Sequence, residues 1–205
     1  SRCPGAQKTT SSSSTQGFGA SRPANAYPAQ LATRLQAALA PRPVEVVNAG
    51  GGGESSPTTL KRLRAALAAP QPPHLVIWQV GTNDVLFGGT PARLEAVVGE
   101  GLVAISAAKA SAIVIDQQYY PGILDLPRYE TFVAAVDGPA AAGKVPLVPR
   151  YALMKDWAAT NKSAFGALLA WDRFHMSDQG YACLADLLAA GILARPASSA
   201  EAAAR

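Results

Sequence analysis

The stretch Leu75–Asp84 (LVIWQVGTND) decides how this chain folds. Its first six residues, LVIWQV, form a short and almost continuously apolar run, which is typical of a strand buried on both faces of a parallel sheet. The polar residues GTND follow at once and predict a loop at the carboxyl end of that strand. Ligands of open parallel sheets bind beyond the carboxyl ends of the strands. The stretch therefore predicts a central strand and one part of a functional site.

Other runs of the same kind extend this pattern along the chain. Further strands are predicted at Val44–Asn48, Ala112–Asp116 and Val145–Val148, and helices at Tyr27–Leu39, Thr58–Ala69, Pro91–Ala110, Tyr129–Val136 and Asp178–Leu193. Strands that alternate with helices indicate an α/β protein, here a three-layer α/β/α sandwich around a parallel sheet. Ser177 is the expected N-cap of the last helix. The architecture requires one more central strand at Ala6–Thr10 (AQKTT), which is too polar for that position. Either a poor strand is tolerated there, or the sequence is altered or lacks residues at that point.

Composition indicates one ordinary globular domain. The chain has 205 residues, of which 49% are apolar and 16% charged, so it can bury a sizeable core. We expect a single domain over residues 1–196 and a frayed tail at 197–205. The net charge is +4, but the basic residues are scattered, and the densest group, at 61–64, fits a solvated helix face. Nucleic acid is therefore not an expected partner, no run is long enough for a membrane span, and no feature indicates an oligomeric state.

The sequence offers no support for a metal or an organic cofactor. Cys3, Cys183, His74 and His175 are the only cysteines and histidines, which is too few for a zinc or histidine-based site. Gly138–Val145 (GPAAAGKV) imitates a phosphate-binding loop, but it has valine where that motif needs a hydroxyl, so we interpret it as a turn. Dinucleotide-binding glycines and a Gly-x-Ser-x-Gly nucleophile elbow are also missing.

Polar residues follow several of the predicted strands and could carry chemistry. In Asp172–His175 (DRFH) the carboxylate can accept from Nδ1–H of the imidazole, which leaves Nε2 as a base. Asn83 can donate to a developing oxyanion, and the glycines of Asn48–Glu54 (NAGGGGE) can aim backbone N–H groups at a ligand. Ser11–Gly19 (SSSSTQGFG) supplies candidate nucleophiles. Each pattern alone also fits an ordinary polar turn, so their order along the chain carries the information.

That order, serine, glycine, asparagine and then Asp-x-x-His, resembles the SGNH (GDSL-type) hydrolase family over about 11–193. The first family block, Gly-Asp-Ser-x-Thr-x-Gly-x-Gly, places the nucleophile at Ser13, although Ser11 and Ser12 replace its Gly and Asp. The glycine of the second block falls on Gly53. Gly81–Asp84 matches the third block, and the pair of Asp172 and His175 matches the fifth.

The resemblance implies a flavodoxin-like fold with about five parallel strands and a serine esterase without cofactors. It assigns Ser13, Asp172 and His175 as the catalytic triad and implies an oxyanion hole made by Ser13, Gly53 and Asn83. The loop after the fourth strand should border the pocket, together with aromatic residues near the triad. The substrate-binding candidates are Gln117, Tyr119, Tyr120, Trp171 and Phe174.

The substrate expectation is a short acyl ester, such as an acetyl group on carbohydrate, because no long apolar lid segment is visible in the sequence. Lysophospholipase or thioesterase-like activity on longer chains is the alternative within hydrolases. An acyltransferase would use the same acyl-enzyme. A degenerate member that binds acylated glycans without cleaving them is the alternative outside enzymes, and the altered first block is its main support.

A periplasmic or secreted location is expected, with the cytoplasm as the alternative. This expectation rests on a start that looks processed, on the frequent export of the family and on two cysteines. A Cys3–Cys183 disulfide would fit an exported protein, and two unpaired thiols fit the same count.

Overall fold

The computed structural model describes residues 5–10 and 13–194 and contains a parallel sheet in the order β2-β1-β3-β4-β5. The strands are β1 (Gly5–Thr10), β2 (Val44–Ala49), β3 (Leu75–Gln79), β4 (Ser111–Ile115) and β5 (Leu147–Val148). All neighbouring pairs are parallel, so every strand ends at the same edge of the sheet. The prediction of an α/β protein is confirmed.

Helices cover both faces of the sheet. They are α1 (Ser13–Gln16), α2 (Tyr27–Leu39), α3 (Ser56–Leu67), α4 (Thr82–Leu86), α5 (Pro91–Ala107), α6 (Leu126–Ala142), α7 (Arg150–Thr160), α8 (Lys162–Ala167) and α9 (Asp178–Leu193). Two hydrophobic cores result, one beneath α3, α5 and α6 and the other beneath α2, α8 and α9. Successive side chains of β3 point to opposite faces of the sheet and so enter the two cores alternately. Val76 and Trp78 pack into the first core, and Leu75 and Ile77 pack into the second.

The strand that the sequence pattern lacked is present. Gly5–Thr10 forms β1 between β2 and β3, with Gln7 in register with both Val46 and Leu75. Of the two alternatives that the polar sequence left open, the structure shows the tolerated strand. Backbone N–H and C=O groups pair on both sides of β1 whatever its side chains are.

Several predicted loops are helices instead. Gly138–Val145, interpreted as a turn, lies in α6 as far as Ala142. The long loop expected between β5 and His175 contains α7 and α8. The amphipathic pattern of α7 is weak because its buried residues include Arg150 beside Tyr151 and Met154. The short helices α1 and α4 follow β1 and β3 along the chain, so the polar residues from Ser13 and from Thr82 onward are held in helical turns.

The last helix begins as predicted, because the Ser177 side chain accepts a hydrogen bond from the Gly180 N–H at 3.2 Å. Cys183 on α9 is partly exposed. Cys3 and the tail at 197–205 lie outside the described residues, so the disulfide and the frayed tail stay predictions. In the part of the chain that the structure describes, no helix is both long and apolar enough to cross a membrane.

The contact between α5 and β3 gives a test of the packing that supports the site. A Cβ atom added at Gly101 would overlap the buried indole of Trp78, whereas one added at Gly99, on the same helix, would meet open space. We expect Gly101→Ala to lower the free energy of unfolding by about 1–3 kcal/mol through overpacking. Gly99→Ala should raise it by about 0.5–1 kcal/mol, because alanine is the better helix former. Urea unfolding measures both, and shifts of the same sign would contradict this packing.

Candidate active site

Three polar side chains form a hydrogen-bonded chain at the carboxyl edge of the sheet. The Ser13 Oγ lies 2.7 Å from the His175 Nε2, and the His175 Nδ1 lies 2.6 Å from the Asp172 Oδ2. Ser13 is the first residue of α1, the helix that follows β1 along the chain. Asp172 and His175 lie in the turn before α9. His175 is 9% exposed, so its ring is largely shielded while Ser13 remains partly accessible.

The neighbouring serine has a different partner. The Ser14 Oγ is buried and donates to the Gln118 Oε1 at 3.2 Å. Among the serines that the structure describes in this run, Ser13 is therefore the one that faces the imidazole. Ser11 and Ser12 lie outside the described residues.

Asp172 is held as a carboxylate by its local turn. Its Oδ1 accepts the backbone N–H groups of Phe174 and His175, both at 3.0 Å, and its Oδ2 accepts from the His175 ring. Burial acts to raise the pKa of Asp172, but these hydrogen bonds outweigh it and hold the pKa below its usual value. Arg173, with φ of +55°, gives the turn its tight bend. Because a carboxylate can only accept a hydrogen bond, the proton of the neutral imidazole lies on Nδ1, and Nε2 is left as the acceptor that faces the Ser13 Oγ.

The glycine-rich segment after β2 lies against the start of α1. Asn48 connects the two, since its Nδ2 donates to the Thr15 carbonyl at 2.7 Å and its Oδ1 accepts from the Gly50 N–H at 2.9 Å. A Cβ atom at Gly50 would overlap the backbone of Gln16, so this close approach requires glycine. Gly53 adopts φ of +71° in the exposed part of the segment.

Asn83 lies in the first turn of α4 and is 7% exposed. Its Nδ2 donates to the Glu54 carbonyl at 2.9 Å, which ties α4 to the residue after Gly53. An amide nitrogen carries two hydrogens, so the second one remains for another acceptor. Glu54 is in turn paired with Arg62 of α3.

Asp84 connects α4 to the start of α3, a role that no local sequence pattern indicated. Its carboxylate accepts from the Ser56 Oγ at 2.6 Å and from the Ser56 N–H at 3.0 and 3.1 Å. Burial raises the pKa of Asp84, and the hydrogen bonds from Ser56 oppose that rise. The start of α3 is thereby fixed to the helix that carries Asn83.

Aromatic rings surround the imidazole. The ring centroids of Phe18 and Phe174 each lie 4.7 Å from that of His175, and Tyr120 packs edge-on against Phe174 at 4.8 Å. Trp171, beside Asp172, is 84% exposed. The structure thus brings three of the predicted substrate-binding residues, Tyr120, Trp171 and Phe174, close to the predicted triad.

Two other predicted substrate-binding residues lie elsewhere. Gln117 is fully buried, and its Nε2 donates to the Phe132 carbonyl at 2.8 Å, so it faces α6 and not the site. Tyr119 packs against Tyr151 and Phe165, beneath α7 and α8. The prediction placed both at the pocket because they follow β4, but alternate residues there turn into the protein.

Gln118 is a residue that the sequence reasoning missed. Its Oε1 accepts from Ser14, its Nε2 donates to the Phe174 carbonyl at 2.9 Å, and its own carbonyl accepts from Tyr129 at 2.7 Å. Gln118 therefore links the residue after Ser13 to the residue before His175.

Over the described residues, no group of three or more His, Cys, Asp or Glu side chains is arranged to hold a metal ion.

Known proteins are similar to this chain in sequence and in fold. The profile of the non-GDSL lipase-like family matches residues 9–197. Esterase TesA of Pseudomonas aeruginosa is 36% identical over 105 residues, which is 51% of this chain and 51% of that protein. The chain thus matches about half the length of this curated relative.

Solved structures agree in fold. The acetyl xylan esterase AlAXEase superposes with a TM-score of 0.78 at 17% identity, over 91% of this chain and 99% of that one. AlinE4, described as an SGNH-hydrolase family esterase, superposes with a TM-score of 0.68 at 23% identity, over 96% and 100%. The chain therefore belongs to the non-GDSL lipase-like family, and its fold is that of the SGNH hydrolases.

Proposed function

We propose that this protein is a serine esterase that hydrolyses short-chain acyl esters, acetyl esters of carbohydrates among them. The observation that carries the proposal is the unbroken chain of hydrogen bonds from the Ser13 Oγ through His175 to Asp172. Such a chain activates a hydroxyl as a nucleophile at neutral pH. The esterase named among its relatives supports the same reaction class.

In the proposed reaction, the Ser13 Oγ attacks the ester carbonyl while the His175 Nε2 takes its proton. The tetrahedral intermediate collapses, the bond to the alcohol breaks, and His175 returns the proton to the leaving oxygen. Water then attacks the acyl-Ser13 by the same route and releases the acid. Asp172 keeps the imidazole oriented and stabilises its protonated form during each step.

The oxyanion is proposed to bind the backbone N–H groups of Ser13 and Gly53 and the second amide hydrogen of Asn83. The Asn83–Glu54 and Asp84–Ser56 hydrogen bonds support this assignment, because they hold two of the donors in one rigid unit. Donors that are fixed before the reaction need no reorganisation when the charge develops.

Short acyl groups are favoured by the fold neighbour AlAXEase, an acetyl xylan esterase. A second candidate, hydrolysis of longer-chain acyl esters, is favoured by the exposed side chains of Leu86 and Phe87, three and four residues after Asn83. The 68% exposure of Phe87 leaves an apolar surface beside an oxyanion donor. A series of p-nitrophenyl esters of increasing acyl length separates the two candidates by the position of the maximum in kcat/KM.

Removal of the nucleophile or the base tests the proposed reaction. We expect Ser13→Ala and His175→Ala each to lower kcat on p-nitrophenyl acetate by about 10³-fold or more. His74→Ala is the matched control, because His74 is exposed at the opposite edge of the sheet, before β3. Equal losses at the two histidines, or full activity in Ser13→Ala, would refute the triad assignment.

Gln118 offers a test of how the triad is positioned. Gln118→Leu removes the side-chain hydrogen bonds of Gln118 with Ser14 and with the Phe174 carbonyl. We expect kcat to fall by about tenfold to a hundredfold, with KM little changed, because Ser13 and His175 lose their alignment. Gln117→Leu is the control, since Gln117 is equally buried but bonds to α6. Melting temperatures of both variants separate a loss of stability from a loss of positioning. A similar kcat in the two variants would contradict this role.

A further inference from the structure

We propose that a groove beside His175 is the subsite for the leaving alcohol and that it accepts a pyranoside, that is, a six-membered sugar ring. We call it the Phe18–Trp171 groove. It encloses about 710 Å³ and is lined by Gly17–Ser21, Trp171 and Ser177–Gln179. This inference rests on the esterase proposed above and specifies which part of its substrate binds where.

The proposed reaction requires the leaving alcohol to lie beside the imidazole. The His175 Nε2 must reach the leaving oxygen to return its proton, whereas the carbonyl oxygen points to Gly53 and Asn83. The alcohol therefore leaves past the imidazole. Phe18, which forms one wall of the groove, contacts the imidazole with its ring centroid 4.7 Å away.

The aromatic walls have the exposure expected of a binding surface. Trp171 is 84% exposed and Phe18 is 53% exposed, and both line the same groove. Large aromatic rings bury substantial apolar area when a flat partner stacks on them. The C–H face of a pyranose ring is such a partner.

The backbone turns that carry both walls are held by short-range contacts. Trp171 lies in a turn closed by hydrogen bonds from the Ala170 N–H to the His175 carbonyl at 2.8 Å and from the Arg173 N–H to the Ala170 carbonyl at 2.9 Å. Phe18 precedes Gly19, which packs so closely on His175 that a Cβ atom would collide with it. Fixed walls reduce the entropy lost when a ligand binds.

The floor of the groove is polar. The Asp178 carboxylate accepts from the Ser21 N–H at 2.8 Å, the Ser21 Oγ at 2.6 Å and the Asn25 Nδ2 at 2.7 Å. The oriented Ser21 hydroxyl and the exposed Gln179 can exchange hydrogen bonds with sugar hydroxyls. An alkyl alcohol would cover these groups without bonding to them, which costs binding free energy. Aromatic walls above a polar floor therefore favour a sugar.

The test compares leaving groups that share one acyl group. The substrates are methyl 6-O-acetyl-glucopyranoside, hexyl acetate and ethyl acetate, which carry a sugar, an alkyl chain and a minimal alcohol. We expect Trp171→Ala to lower kcat/KM on the sugar ester by about five- to tenfold relative to ethyl acetate. The control Val103→Ala, which truncates an exposed side chain on α5, should leave the ratio as in the wild type.

The outcomes separate this inference from the proposed function. A fall on hexyl acetate as large as that on the sugar ester would mean a general apolar subsite and would overturn the choice of a sugar. An unchanged ratio in Trp171→Ala would remove Trp171 from the subsite and also overturn the inference, with the esterase intact. A wild type that hydrolyses none of these acetates nor p-nitrophenyl acetate would instead refute the proposed function.

A binding measurement gives a second readout without turnover. Trp78 is fully buried and Trp157 is partly buried, so Trp171 is the exposed indole. Titration of the Ser13→Ala protein with methyl glucopyranoside should shift its tryptophan emission to shorter wavelength. If high concentrations of methyl glucopyranoside cause no shift in the emission, the proposed sugar subsite is refuted. A shift that persists in a Ser13→Ala/Trp171→Ala double variant would refute it as well.

Discussion

The placement of β1 between β2 and β3 is the constraint on which the site depends. All three strands run in the same direction, so their carboxyl ends meet at one edge and bring the segments carrying Ser13, Gly53 and Asn83 together. The geometry of those segments is then refined by local ties, such as the hydrogen bond from Asn48 to the Thr15 carbonyl. Backbone pairing thus sets where the site lies, and side-chain hydrogen bonds set its detailed geometry.

The side-chain ties differ in how far they reach along the chain. Asp172 and His175 are three residues apart, and their turn brings the carboxylate to the imidazole almost by itself. Gln118, in contrast, joins Ser14 and Phe174, which lie 104 and 56 residues away from it. Its buried amide has a partner at each end, so neither polar end is left unsatisfied. Local turns shape the segments around Ser13 and His175, and Gln118 fixes these two segments relative to each other.

This difference also explains what the sequence could reveal. The site residues that the sequence predicted, Ser13, Asn83, Asp172 and His175, each stand in a short local pattern after a strand, and such patterns are readable without a structure. The structure joins three of them, Ser13, His175 and Asp172, by hydrogen bonds. Gln118 and the Asp84–Ser56 pair act through distant partners, which no local pattern reports. β1 could not be assigned from the sequence alone, because its residues are polar and strand pairing is made by the backbone. α7 was missed because it buries an arginine within its apolar face.

The proposed oxyanion side and the proposed leaving-group side of the site are built on different physical principles. On the proposed oxyanion side, the buried Asp84 carboxylate accepts hydrogen bonds from Ser56, and burial raises its pKa although these hydrogen bonds oppose the rise. On the other side, Phe18 and Trp171 remain open to solvent, although burial of these rings would be favourable. A fixed charge-stabilising unit suits a reaction step common to all esters, whereas an open aromatic surface gains its free energy only when a ligand covers it. Selectivity for the alcohol is therefore expected to reside beside His175, where substitution can change the substrate without disturbing the chemistry.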